Sequence, residues 1–369
     1  MALPRFHALR ITRVTPLAAG AVSVAFEIPV HLREIFSFDP GQFITLRATV
    51  QGQDLRRNYS ICSSRGQFTT RHELEVGIKP VTGGRFSNWA LRLLPGDSID
   101  VLPPDGRFTS RLDGNKMPLH RVAFAAGSGI TPILSILASS LQSEAKSRFS
   151  LVYCNRVVDS IMFNESLQDL KDAYPARLSL IHVLTGQAGD TELLHGRLDR
   201  QKTRQLLDTL LPARDIDEVF ICGPVGMAVA VQSALLAAGI APERMHNERF
   251  LTDDAMPDTR SNAPGADFTK SIDEVVRNNN LQIVLDGKTH RLAIGVTEKV
   301  LGVGLAAGLD LPYACRGGVC CTCRARVLEG KVTMDRNFTL EQWEIDKGFC
   351  LTCQARAITP SVTVSYDER

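Results

Sequence analysis

The sequence lacks a dominant charge: 42 lysines and arginines stand against 40 aspartates and glutamates, a formal net charge of +2 over 369 residues. With neither a basic field nor an acidic tail, no nucleic-acid partner is expected. Internal repeats are missing too. So is a signal-peptide core, because residues 1–13 alternate apolar with basic residues, and the cytoplasm is the expected compartment. An uninterrupted apolar run of membrane-spanning length is also absent. Residues 122–142 carry no charge, but Gly127, Gly129 and Pro132 divide them. They read as a strand, 122–126, and a helix, 133–141, with Thr131 as N-cap and Pro132 at the first helical position, so no membrane partner is expected. Histidines are few and scattered; His195 and His246 stand alone and read as structural or solvated.

What the chain has is cysteine, and in one place. Six of its nine cysteines lie between Cys315 and Cys353. That crowding points to metal ligation in a reducing compartment rather than a secreted disulfide framework. Cys315, Cys320 and Cys323 are spaced C-x4-C-x2-C, and with Cys353 further on they form the plant-type ligand pattern of a [2Fe–2S] cluster. Gly317 and Gly318 let the loop wrap so that backbone N–H groups face the sulfurs. Cys320/Cys323 and Cys350/Cys353 also make two C-x2-C pairs, so a structural zinc ribbon in a redox-inert scaffold is the alternative. Cys321, between ligands, is expected to turn its sulfur away.

The length suggests about two or three domains. Up to about residue 101, short β-rich runs are separated by Pro-Gly and Gly-Gly turns, the spacing of an antiparallel barrel. Between 122 and 250 strands alternate with helices, which indicates a parallel, doubly wound sheet. Residues 251–280 are polar and aperiodic, a linker with one short helix expected at 272–277. Asp286-Gly287 then signals a hairpin between two apolar strands. The charged run 341–347 reads as a solvated helix face.

Several motifs carry chemistry. In Arg57-Asn58-Tyr59-Ser60 an arginine fork suits a pyrophosphate, a tyrosine offers a face to a flavin and a serine can bond a ring nitrogen; an edge strand with a surface arginine is the bland alternative. Gly84 and Ser87 sit where a Gly turn opens a helical stretch able to meet phosphate. In the turn 126–132, Gly127 and Gly129 allow a nucleotide pyrophosphate close to the backbone, although Pro132 replaces the usual third glycine. Cys222 ends a strand at the carboxyl edge of the sheet, where ligands bind in this architecture; a small buried core residue is its other reading. After the second strand of this region stands Arg156, with Asp159 the nearest acid. An arginine there favours a 2′-phosphate, hence NADPH over NADH, although Arg156 also suits a solvated loop.

The stretches 38–41, 55–62, 83–87, 125–132, 195–197, 220–224, 248–250 and 311–323 together resemble the ferredoxin–NADP reductase superfamily. Their order over nearly the whole chain narrows the resemblance to reductase components of multicomponent di-iron oxygenases. It implies a multidomain fold: an antiparallel β-barrel FAD domain (1–112), an α/β parallel-sheet NAD(P)-binding domain (113–250), a linker (251–279) and an α+β, β-grasp [2Fe–2S] ferredoxin domain (280–369). It further implies that Arg57, Tyr59 and Ser60 hold the FAD pyrophosphate, ring and N5 region, with Gly84 and Ser87 supporting the phosphates. Gly127, Gly129 and Thr131 would line the nicotinamide nucleotide site, Cys222 would approach the nicotinamide C4, and Glu248 and Phe250 would close over the flavin. The resemblance puts the fourth cluster ligand at Cys353 and leaves Cys350 to the core. The activity implied is hydride transfer from NADPH to FAD, then single-electron transfer through the cluster to the oxygenase component of a multicomponent di-iron epoxidase. The reductase of another ring-hydroxylating or alkane oxygenase is the enzymatic alternative.

Overall fold

Period-two apolar runs build the first sheet, and the way its two ends meet makes it a barrel. The computed structural model describes residues 4–109, 117–187, 191–250 and 279–368. Strands β1 (His7–Pro16), β2 (Val22–Glu27), β3 (Phe43–Val50), β4 (Gln53–Ser60), β5 (Glu73–Ile78) and β6 (Ser98–Asp105) pair antiparallel in the order β4-β3-β6-β1-β2-β5. Just beyond β4, Ile61 bridges Val76 of β5, which closes the circuit. Leu9, Val24, Phe26, Ile44, Leu46, Val76 and Val101 fill the interior with no exposed surface. Two short helices attach: α1 (Arg65–Arg71), started by a Ser64/Gln67 capping box, and α2 (Arg85–Ala90), preceded by Gly84.

In the second sheet β7 (His120–Ala126), β8 (Arg148–Asn155), β9 (Leu178–Leu184), β10 (Glu218–Cys222) and β11 (Met245–Glu248) run parallel in the order β11-β10-β7-β8-β9. The strand order reverses between β7 and β10. That reversal opens the crevice at the strands' carboxyl ends where doubly wound sheets take their ligands. Helices α3 (Ile130–Ser143), α4 (Asn164–Ala173), α5 (Arg200–Thr209) and α6 (Val225–Ala237) connect the strands. Residues 6–250 form one compact unit, and hydrogen bonds join α3 to the segment that follows β4: the Ser135 hydroxyl donates to the Ser63 carbonyl at 2.7 Å, and the Arg65 N–H to Ser139 Oγ at 3.0 Å.

The expected cap on α3 is corrected. The helix begins at Ile130 after a 3-10 turn, Gly127–Gly129, so Thr131 and Pro132 lie inside its first turn. The Thr131 hydroxyl donates back to the Ser128 carbonyl at 3.0 Å. Pro132 is tolerated there because first-turn N–H groups lack helical partners. The 122–142 segment is thus a strand and a helix, and among the described residues no helix is long and apolar enough to cross a membrane.

The second unit holds β12 (Asn279–Leu285), β13 (Lys288–Ile294), α7 (Val300–Ala306), β14 (Arg324–Glu329), β15 (Val332–Met334), α8 (Gln342–Asp346), β16 (Phe349–Leu351), β17 (Ala355–Ala357) and β18 (Ser361–Ser365). Its five-stranded sheet runs β13-β12-β18-β14-β16, with β12 and β18 parallel, and β15 pairs with β17. Asp286-Gly287 is the two-residue turn of the β12–β13 hairpin, as its sequence signals. The charged run at α8 is not wholly solvated: Glu344 is fully buried and ion-paired with Arg324 at 3.0 Å, a correction that comes from tertiary pairing. The expected linker, 251–279, and its helix at 272–277 lie outside the described residues except for Asn279, which opens β12.

Candidate functional site

Three residues distant in the chain meet at the mouth of the crevice. Ser60 ends barrel strand β4, Cys222 ends β10 and Glu248 ends β11. The Ser60 hydroxyl donates to Glu248 Oε2 at 3.3 Å, and the Cys222 thiol points at the same oxygen from 4.0 Å. Parallel pairing places Cys222 directly opposite Glu248. Burial pushes the Glu248 carboxyl up to about 8, against the downward pull of the Ser60 hydrogen bond. Burial, then the neighbouring Glu248 carboxylate, raises the Cys222 thiol well above its ordinary range. The site therefore holds a proton on a carboxyl group at neutral pH and keeps its sulfur protonated.

Strand alternation separates residues that the sequence groups together. Arg57 and Tyr59 share one face of β4, opposite Leu46 and Ile44, whereas Ser60 lies opposite Phe43 on the other face and turns to Glu248. The Tyr59 ring lies 5.9 Å from Phe86 of α2, and burial raises its phenol despite the charge of Arg57. Arg57 itself donates to the Arg56 carbonyl at 2.9 Å. Ser87 is buried and accepts the Val81 N–H at 3.1 Å, while a Cβ at Gly84 would come within 2.6 Å of its hydroxyl.

At the switch point, a Cβ on Gly129 would stand 2.1 Å from the Cys222 carbonyl oxygen, so only glycine lets this turn approach the end of β10. Tyr153 donates to the Gly127 carbonyl at 2.9 Å. Thr131 is buried with its methyl against Gly77 of β5, so it packs the two sheets together. Arg156 is exposed immediately after β8, its carbonyl accepting the Gly186 N–H at 2.7 Å. Phe250 packs, partly buried, against the core that contains Cys222 and Ile130. One group has no sequence motif to announce it. Lys79, just past β5, brings its ammonium beside the Gly127 turn, 3.6 Å from where a Cβ would be. A basic residue following a strand is too common a pattern to single it out.

The second unit builds a sulfur site from the loop between α7 and β14 and from Cys353. Cys320 donates to Cys315 with sulfurs 3.0 Å apart, and Cys323 is hydrogen-bonded to Cys353. The four thiols thus form two pairs, the arrangement that two irons with two thiolates each require. Among the described residues no three His, Cys, Asp or Glu side chains converge on a single-ion position. The Cys315 thiol is drawn down to about 6 by its bond from Cys320 and then by backbone N–H groups of Gly317, Val319 and Cys320. Cys353 is likewise lowered, first by Cys323, and accepts from Gln354 Nε2 at 3.4 Å. Gly318, at φ 78°, leaves only 2.9 Å between a would-be Cβ and the Arg336 carbonyl, so the loop closes tightly over the sulfurs. Cys321 turns instead to the Thr339 hydroxyl at 3.2 Å. Cys350 lies on β16 opposite Ala325, and burial pushes its thiol up to about 12.

Comparison with known proteins matches each part. Residues 9–110 match the oxidoreductase FAD-binding domain, 124–233 the oxidoreductase NAD-binding domain and 283–357 the 2Fe-2S iron-sulfur cluster binding domain. The chain is 39% identical to one of the subunits of 1,2-phenylacetyl-CoA epoxidase from Escherichia coli, over 99% of this chain and 98% of that one. The chain belongs to the ferredoxin–NADP reductase superfamily, in the branch with a [2Fe–2S] domain. It is also 36% identical to the ferredoxin reductase component of 3-ketosteroid-9-alpha-monooxygenase from Mycobacterium tuberculosis, over 98% of this chain and 96% of that one. Phthalate dioxygenase reductase shares the fold at a TM-score of 0.58 and 20% identity, covering 98% of both chains. The chain is thus a pyridine-nucleotide-dependent oxidoreductase with FAD-binding and [2Fe–2S] domains, of the kind that serves an oxygenase. The iron–sulfur match and the two thiol pairs set the zinc ribbon aside.

Proposed function

We propose that the protein takes electrons from NADPH and delivers them, through FAD and a [2Fe–2S] cluster, to the oxygenase component of a di-iron epoxidase acting on phenylacetyl-CoA. The observation that carries the reductase part is the meeting of Ser60, Cys222 and Glu248 at the switch point. The acceptor rests on likeness to the Escherichia coli epoxidase protein along both whole chains. Bound FAD supplies the two-electron to one-electron conversion that side chains lack.

The residues present fit that group. Ser60 and Glu248 offer a hydrogen-bonded polar pair, and Tyr59, partly buried and backed by the core residue Phe86, offers an aromatic ring. In this reading Arg57 binds the FAD pyrophosphate with its planar fork, Gly84 and Ser87 admit the phosphates, and Ser60 orients the ring edge. Glu248 holds a proton beside Ser60, Cys222 backs the position of the nicotinamide C4, and Phe250 excludes water. Gly127, Gly129 and Thr131 shape the nucleotide turn. Cys315, Cys320, Cys323 and Cys353 would hold the cluster, with Gln354 and loop amides moderating the thiolate charge.

Arg156, exposed at the end of β8, supports NADPH over NADH. We assign domains to 1–112, 113–250 and 280–369 with 251–279 as linker; the three family matches fall inside those limits. A reducing cytoplasm suits the free thiols. The ketosteroid relatives, nearly as similar, support a second acceptor class. Purified protein should carry FAD, iron and labile sulfide, oxidise NADPH faster than NADH, and drive product formation with the phenylacetyl-CoA epoxidase components. Turnover with a 3-ketosteroid hydroxylase and none with the epoxidase would reverse the assignment.

A further inference from the structure

Glu248 sits on the weakest piece of the sheet. β11 has four residues and pairs on one side only, with β10. Main-chain pairing this short leaves the carboxyl to fluctuate with the strand end unless side chains hold it. One side chain is built to do so. His246, two residues before Glu248 and on the same face, lies opposite Phe220, as Glu248 lies opposite Cys222. Its ring stacks on Phe220 with centroids 4.8 Å apart and planes 17° apart, and Phe220 in turn meets Phe108 edge-on at 5.5 Å.

The other edge of the ring is equally engaged. His246 Nε2 hydrogen-bonds Glu218 Oε1 at 2.9 Å, and Glu218 Oε2 accepts from Arg121 Nε at 2.8 Å. Arg121, with no exposed surface, closes a second ion pair with Glu144 at the end of α3. The imidazole is therefore clamped between an aromatic face and a carboxylate that is itself fixed from β7 and α3. The sequence does not single out His246, because its partners Glu218 and Phe220 lie on β10, far away in the chain, and Arg121, which fixes Glu218, lies on β7.

We infer that His246 is a positioning residue for hydride transfer: it locks the register of β11 on β10 and so holds the Glu248 carboxyl at Ser60 and Cys222. The inference rests on the reading of Glu248 as part of the reducing site. The ring contacts of His246 are to Phe220 and Glu218, so it acts through Glu248. A displacement of about 1 Å at a reacting group costs on the order of a hundredfold in rate, so loss of the clamp is felt in chemistry before it is felt in binding.

A double-mutant cycle on the FAD-loaded full chain tests this, read as the rapid-mixing rate of flavin reduction by saturating NADPH. His246→Ala should slow reduction on the order of tenfold to a hundredfold at unchanged NADPH affinity. In a Glu248→Ala background the same change should have almost no further effect, because the group it positions is gone. His246→Gln, which keeps the bond to Glu218, should recover part of the loss, and it replaces His246→Ala if that variant fails to retain FAD. If Glu248→Ala alone leaves the rate unchanged, the reading of Glu248 fails and the inference with it. If Glu248→Ala is slow but His246→Ala slows it again by the same factor, the inference alone is overturned: His246 is then a stabilising residue of the sheet.

Discussion

Glu248→Gln separates a proton-holding carboxyl from a merely structural one. Burial lifts this group from an ordinary value of 4.5 to about 8. At pH 7 it is therefore about nine-tenths protonated, and each pH unit above 8 leaves about tenfold less of the neutral form. If the neutral carboxyl donates at the flavin edge, NADPH-driven flavin reduction falls through about pH 8 and approaches a tenfold loss per unit beyond it. Glutamine has the same shape, stays neutral and keeps a donor, so its rate should lie within roughly tenfold of the parent at pH 7 and show no inflection. Stability follows the same sign. The folded pKa is above the unfolded one, so the folded state binds the extra proton between about pH 4.5 and 8, and stability falls as pH rises through that window. The glutamine variant should lack this slope and melt higher than the parent at alkaline pH. Stopped-flow flavin absorbance and thermal melts across the pH range measure both. A parent rate that is flat through pH 8, or an inflection that survives in the glutamine variant, would refute the reasoning.

Cys353→Ser should lose or severely perturb the cluster while FAD stays bound, whereas Cys350→Ser, removing a buried thiol on β16, should keep it; iron and labile sulfide analysis decides. Gly129→Ala forces a Cβ to within 2.1 Å of the Cys222 carbonyl, so it should cost on the order of 1–3 kcal/mol or more in a denaturant melt and slow flavin reduction as the end of β10 shifts. Arg156→Ala should raise KM for NADPH by roughly 1–3 kcal/mol equivalent and leave NADH nearly unchanged; equal effects on both would remove Arg156 from nucleotide choice.

How much of this was legible in the sequence depends on how local the cause is. The quartet at Cys315, Cys320, Cys323 and Cys353 is readable because a cluster fixes ligand spacing within one loop, and the change from period-two runs to alternating strands and helices marks the two sheets. The start of α3 is not legible because threonine caps helices but also bonds back to a carbonyl three residues earlier, as Thr131 does here. β11 escaped notice because Met245–Glu248 is too short for alternation to show and borrows its conformation from β10. α5, with three buried residues, Thr203, Leu206 and Leu207, has too narrow an apolar stripe to stand out. Glu344 reads as solvated because its partner Arg324 lies on a distant strand, β14, and Lys79 meets Gly127 only across two sheets. Pairings between distant strands leave no pattern in a single chain.

In the proposed path electrons leave this protein through its cluster, and removing residues 251–369 tests that most directly. Residues 6–250 form a compact unit with its own buried cores, so the shortened chain should bind FAD and reduce ferricyanide with NADPH at close to the parent rate. With the oxygenase components present it should support no product formation, and adding the separate 280–369 domain at equal concentration should restore little, because the linked arrangement corresponds to an effective concentration of order millimolar. Oxygenase turnover by the shortened chain as fast as by the full one would contradict the account.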